Sequence, residues 1–211
     1  ALLNYLVRLG WSYGDQEIFS RQEMIDLFDI SAVHRSAAGF NNEKLLWLNQ
    51  QYIKMGNPDE LATYLQFQCN RLGIDTTHDP PLAEIVKAMA ERAKTLKEMV
   101  QNGRFFFGDA IEFDDKMVRK HLKPAIREPL ADLCERLEHL TEWTAENIHA
   151  VIHAIAEQYG LKLGKIAQPL RVAVTGGSVS PPIDVTVYVI GQTHSVQRIK
   201  HALTLGDKMH E

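Results

Sequence analysis

His149 and His153 stand four residues apart, the spacing at which one side of a helix can present two imidazoles to one metal ion. No H-E-x-x-H arrangement and no nearby third ligand accompanies them, so they read as ordinary helix-surface histidines, and a small metalloenzyme is the weakest reading of the chain. Glu112-Phe113-Asp114-Asp115 could hold Mg2+ or trade protons between paired carboxylates. Its position ahead of a helical segment gives Asp114 or Asp115 a simpler role at a helix N-terminus. Thr175-Gly176-Gly177-Ser178 shares only glycines with phosphate-cradling loops and reads as a helix C-cap. No nucleophile elbow occurs, so no catalytic residue and no metal site are expected. Trp11, Trp47 and Trp143 could stack on bases, although a tryptophan on an apolar stripe is more often core. Trp47 is the one whose neighbours, Lys44 and Asn49, would suit a nucleic-acid face.

These side chains belong to a 211-residue chain with 45% apolar and 24% charged residues, enough for one large domain or a few small helical ones. No apolar stretch reaches the roughly 18 residues of a membrane span, so no membrane partner is expected. Cys69 and Cys134 are far apart and in no C-x-x-C pairing, which excludes a disulfide framework or thiol zinc site and points to a reducing cytoplasm. The net charge of −4 argues against a protein that coats nucleic acid indiscriminately, and no DNA partner is expected. Charge is uneven: residues 161–211 carry six Lys/Arg against three acids, +3, so the other 160 residues carry −7. Local basic character of that kind suits a docking face.

The opening Ala1–Gly10 stretch reads as a helix stopped by glycine, yet it has no initiator Met, N-cap or first turn, so a truncated piece beginning mid-element is expected. No basic leader or small-residue cleavage site flanks Leu2, Leu3, Leu6 and Val7, and no signal peptide is expected.

Helix punctuation recurs along the chain. Ser20-Arg21-Gln22-Glu23 is a capping box predicting a helix through Phe28; Asn57-Pro58 and Asp79-Pro80-Pro81 open two more. Leu45, Leu46, Leu48, Tyr52 and Ile53 predict a helix over 42–54. Leu82, Ile85, Val86, Met89, Ala93, Leu96 and Val100 recur at helical spacing and predict one long helix over 81–101, followed by an aromatic hinge at Arg104–Gly108. Further helices are expected at about 114–139 and 144–159. Residues 182–190 alternate β-branched with polar residues as a strand would, but an isolated strand among helices has no partner, so helix is the expectation there. The fold class is all-α, with boundaries at 56/57 and 113/114.

Ala1-Leu2-Leu3-Asn4-Tyr5-Leu6, Gly10-Trp11-Ser12, Glu17-Ile18-Phe19-Ser20, Lys44-Leu45-Leu46-Trp47-Leu48-Asn49, Tyr52-Ile53, Arg92 with Thr95-Leu96-Lys97-Glu98, and Lys162–Arg171 with Thr175-Gly176 run in collinear order along the chain. Together they resemble the segment that follows the catalytic core of bacterial-type glutamate–tRNA ligases. That family joins glutamate to tRNA(Glu) with ATP and Mg2+, using H-x-G-H and K-M-S-K-S-like motifs, neither of which occurs here. The resemblance implies a stem-contact connector (1–56) and two anticodon-binding helical subdomains (57–113 and 114–211), with no cofactor of their own. Their implied partners are tRNA(Glu) and the catalytic domain of the same parent chain.

The resemblance also implies roles for particular residues. Arg92 takes the position where an arginine reads the third anticodon base, cytosine in glutamate tRNA and guanine in glutamine tRNA. A guanidinium offers only donors, which suit the N3 and O2 acceptors of cytosine and oppose the N1–H and N2–H2 donors of guanine. Gln168, Arg171 and the loop Ser180-Pro181-Pro182-Ile183 take positions around the first two bases, with Ile183 packing on a base. Asp184 stands where some relatives carry an apolar residue. Lys165 contributes charge, and Lys44 with Trp47 belongs to the stem-contact part. The alternative is a helical protein-interaction module without RNA binding, marked by an exposed apolar groove.

Overall fold

Helices in this chain start where a short side chain can satisfy the first unpaired amides. The structure is a computed structural model that describes residues 1–34, 39–77, 80–108 and 111–210. Ser20 and Glu23 form a reciprocal capping box at the head of α2 (Arg21–Leu27), after α1 (Leu2–Val7). The Asn41 side chain accepts from the Lys44 amide to start α3 (Asn42–Met55), and Asn57 caps α4 (Pro58–Arg71), whose first residue is proline. The cap expected at Asp79 lies outside the described residues. The remaining helices are α5 (Leu82–Met89), α6 (Leu96–Asn102), α7 (Asp115–His121), α8 (Pro124–Glu138), α9 (Ala145–Gln158), α10 (Leu163–Thr175), α11 (Ile183–Ile190) and α12 (Gln192–His210). Among the described residues there is no strand, as the all-α expectation requires.

Two expected helices are each two. The segment 81–101 breaks between Met89 and Leu96 because Thr95 caps a fresh start: its hydroxyl accepts from the Glu98 amide, and the Glu98 carboxylate accepts from the Lys94 amide. Arg92 therefore lies in an exposed turn rather than on a helix face. The segment 114–139 breaks at Leu122-Lys123, ahead of Pro124, whose ring disfavours helical backbone in the residue before it. The expected aromatic hinge is a short 3-10 turn whose Phe105, Phe106 and Phe107 are all buried, so this segment packs as core.

Residues 183–190 are helical despite their β-branched content. α11 packs against α5, α9 and α12, and the apolar surface removed from water outweighs its weak propensity. One continuous apolar cluster runs from Ile53 at the end of α3 to Ala202 and unites α3–α12. Arg198 of α12 crosses this core, its guanidinium donating to the Phe105, Gly108 and Val174 carbonyls. Gly176 ends α10 at φ +76° and accepts from the Asp114 amide at 3.0 Å; a Cβ there would stand 1.9 Å from the Glu112 carbonyl oxygen.

The N-terminal part is tied together by a polar knot. The fully buried Asn4 of α1 accepts from the Phe19 amide at 2.7 Å and the Tyr52 hydroxyl at 3.0 Å, and donates to the Glu17 carbonyl at 3.0 Å. Trp11 packs as core against Phe19 and Phe28.

Candidate nucleic-acid interface

α10 carries Lys165, Gln168 and Arg171 at three-residue intervals, on neighbouring rows of one helix. Lys165 is exposed, whereas Gln168 and Arg171 are half-buried. The Gln168 Oε1 is buried without a hydrogen-bond partner among the described residues, an acceptor whose lone pairs are unused. Arg171 turns back on the loop that follows its helix: its Nε donates to the Ser180 Oγ at 2.9 Å, and its Nη2 reaches the Pro181 carbonyl at 3.5 Å.

That loop is held from both ends. Ser180 is buried and shares a hydrogen bond with the Thr186 hydroxyl at 3.0 Å, and Thr186 lies in the first turn of α11. Pro181 is buried, Pro182 is exposed and Ile183 is half-buried against the core, so the loop shows solvent a rigid edge. Val179, also in this loop, is 75% exposed, a feature that no motif signalled.

α5 packs against α11 with Pro80, Pro81 and Glu84 near Tyr188–Gly191, so its far end, from which the Arg92 turn leaves, points towards the start of α11. The Arg171 guanidinium is pushed below its ordinary pKa, first by burial and then by the charge of Arg92, while Asp184 opposes both. Arg92 and Arg171, separated by 79 positions, therefore share one electrostatic neighbourhood with Asp184. Asp184 also meets His149, Nδ1 to Oδ2 at 3.0 Å, a pairing across 35 residues that spacing could not reveal. The neighbouring His153 pairs with Glu157 at 3.5 Å.

Lys44 and Trp47 form a second locus on α3. The Lys44 ammonium lies 5.0 Å from the Trp47 ring centroid and pairs with the Glu17 carboxylate. That hydrogen bond holds the Glu17 carboxyl below its usual pKa; burial opposes it, and the charges of Arg8 and Lys44 add to it. Trp47 is 38% exposed, unlike Trp11, while Trp143 is half-buried and donates to the Tyr188 carbonyl.

Among the described residues no group of three His, Cys, Asp or Glu side chains is placed to hold a metal ion. The Gly176–Gly177 turn is a helix cap whose Thr175 hydroxyl is engaged by its own backbone, so it offers no phosphate cradle.

Known proteins share the fold that carries these residues. The model of the anticodon binding domain family matches residues 51–203. A glutamate tRNA ligase from Elizabethkingia meningosepticum CCUG26117, solved in complex with its amino acid, superposes with a TM-score of 0.84 at 31% identity over 96% of this chain. A glutamate-tRNA synthetase from Elizabethkingia anophelis superposes with a TM-score of 0.80, also at 31% identity over 96% of this chain. The chain spans 40% of the length of each of those two proteins. With more than half of its residues matched by the family model, and the whole helical arrangement shared with these structures, the chain belongs to the anticodon binding domain family.

Proposed function

We propose that this chain reads the anticodon of tRNA(Glu) as the recognition part of a glutamate–tRNA ligase. The observation that carries the reading is that Arg171, bonded to the Ser180–Ile183 loop, shares its electrostatic neighbourhood with Arg92, in a chain of this family. Two guanidinium groups that feel each other's charge, one of them bonded to a rigid, partly apolar loop, suit an unpaired RNA loop, which offers phosphates, base edges and ring faces together. Arg92 reads the third base by donating to cytosine acceptors. Gln168 and Arg171 address the first two, and Pro181, Pro182 and Ile183 supply the apolar floor. Lys165 adds charge. Lys44 and Trp47 meet the stem, within a division of the chain into 1–56, 57–113 and 114–211.

Attachment of glutamate with ATP and Mg2+ is the work of the parent enzyme's catalytic domain. The residues of this chain do not fit those groups: it has neither nucleotide motif, and its described side chains supply no metal cage. That catalytic domain is the proposed protein partner, and the exposed Leu2, Leu3 and Leu6 of α1 are apolar surface for it to cover. The proposed setting is the cytoplasm, consistent with two buried cysteines that form no disulfide with each other and with no described helix long and apolar enough to cross a membrane.

A filter-binding titration of tRNA(Glu) and of anticodon-substituted tRNA at low and moderate salt tests the reading. Anticodon substitution is expected to weaken binding by about 1–3 kcal/mol per lost base contact. Equal binding of both RNAs defeats it.

A further inference from the structure

We propose that Asn49 and Gln50 of α3 are positioning residues for third-base discrimination. They act by pinning the backbone on both sides of Arg92, and the proposal rests on the reading of Arg92 given above. Within the turn between α5 and α6 the Arg92 amide donates to the Met89 carbonyl at 2.8 Å and the Lys94 amide donates to the Glu98 carboxylate at 2.8 Å, which leaves the Glu91 and Lys94 carbonyls to be met from outside. Those two carbonyls are met by a helix more than forty residues earlier. Asn49 Nδ2 donates to the Lys94 carbonyl at 2.7 Å, and Gln50 Nε2 donates to the Glu91 carbonyl at 3.0 Å. Lys54, one turn beyond Gln50 on the same face, pairs with the Glu91 carboxylate at 2.9 Å.

Between these fixed points Ala93 is fully buried, so Arg92 emerges from a main chain held at 91, 93 and 94 while its own side chain stays exposed. A guanidinium that must meet two acceptors on one base edge tolerates little displacement of its Cα, because its fork geometry is fixed. The clasp therefore serves selectivity more than gross affinity. α3 also carries Lys44 and Trp47, with Trp47 one turn before Gln50, so a single rigid rod joins the proposed stem contact to the proposed base reader.

The test measures equilibrium binding of the 211-residue chain to two tRNA(Glu) transcripts that differ only in cytosine or guanine at the third anticodon base. Asn49→Ala/Gln50→Ala, Arg92→Gln and the triple variant are compared with the wild type. The double variant is expected to lose about tenfold of the cytosine preference while its affinity for the guanine transcript stays within about twofold. Adding Arg92→Gln to it should cost little further preference, the non-additivity of groups that act as one unit. A merely structural role would lower both affinities together and leave their ratio intact; that outcome, with Arg92→Gln still losing preference, overturns the clasp alone. Unchanged preference in Arg92→Gln, or no binding by the wild-type chain, overturns the anticodon reading and the clasp with it. If the double variant shows no cooperative thermal transition, Asn49→Asp, which keeps the shape but loses the donor, replaces it under the same criteria.

Discussion

The Arg171 guanidinium donates to the Ser180 hydroxyl at 2.9 Å, so the last turns of α10 hold the loop that leads into α11. The side chain proposed to meet RNA is thus also the one that shapes the surface beside it. Half-buried and with two nitrogens committed to the loop, Arg171 has little rotamer freedom left to lose on binding.

Arg171→Lys keeps the charge but removes the planar fork and the Nε donor. It should weaken tRNA(Glu) binding by about 1–3 kcal/mol, measured by filter binding at fixed salt. An affinity within experimental scatter of the wild type would show that charge alone suffices there.

Asn4→Leu should be among the costliest substitutions in the N-terminal part. It strips the Phe19 amide of its acceptor inside a fully buried site, with an expected loss of about 2–4 kcal/mol in chemical denaturation. Tyr52→Phe removes a hydroxyl but leaves the Phe19 amide its Asn4 acceptor, so it should cost less.

The Gly176 backbone is left-handed, and a methyl group there meets the Glu112 carbonyl oxygen. Gly176→Ala should therefore lower the unfolding free energy by about 2–5 kcal/mol, combining backbone strain with overpacking. Gly164→Ala, where nothing lies within 4 Å of the added atom, is the matched control.

Glu17 titrates below its ordinary 4.5 in the folded chain, chiefly because Lys44 donates to it. A carboxyl depressed by folding stabilises the fold above its unfolded pKa, and that contribution fades as pH falls through the folded value. Lys44→Met should thus be less stable than the wild type near neutrality, and the difference should close below about pH 4.5. Thermal melts across that range check it, and a gap that widens in acid would contradict the assignment.

How far the residues announce their own arrangement differs from element to element. Ser20, Asn57 and Thr144 mark helix starts through local hydrogen bonds, and local chemistry is what short sequence windows carry. Thr95-Leu96-Lys97-Glu98 carries the same signal, but apolar residues stay in phase across the break and simulate one helix from Leu82 to Val100. The candidate surface was legible at Arg92, Gln168 and Arg171 only through family resemblance, since each is unremarkable alone. The His149–Asp184 pair and the hydrogen bonds from Asn49 and Gln50 join residues 35 to 45 positions apart, so only the assembled fold discloses them.

α11 has six β-branched residues in eight, a composition that would scarcely hold a helix in water. Its shape is lent by α5, α9 and α12, and with it the lower end of the Ser180–Ile183 loop. Half of the proposed reading surface therefore comes into being only when the core closes. Amide exchange in α11 should follow whole-domain opening, and a nascent or partly unfolded chain would be blind to the anticodon rather than a weaker reader of it.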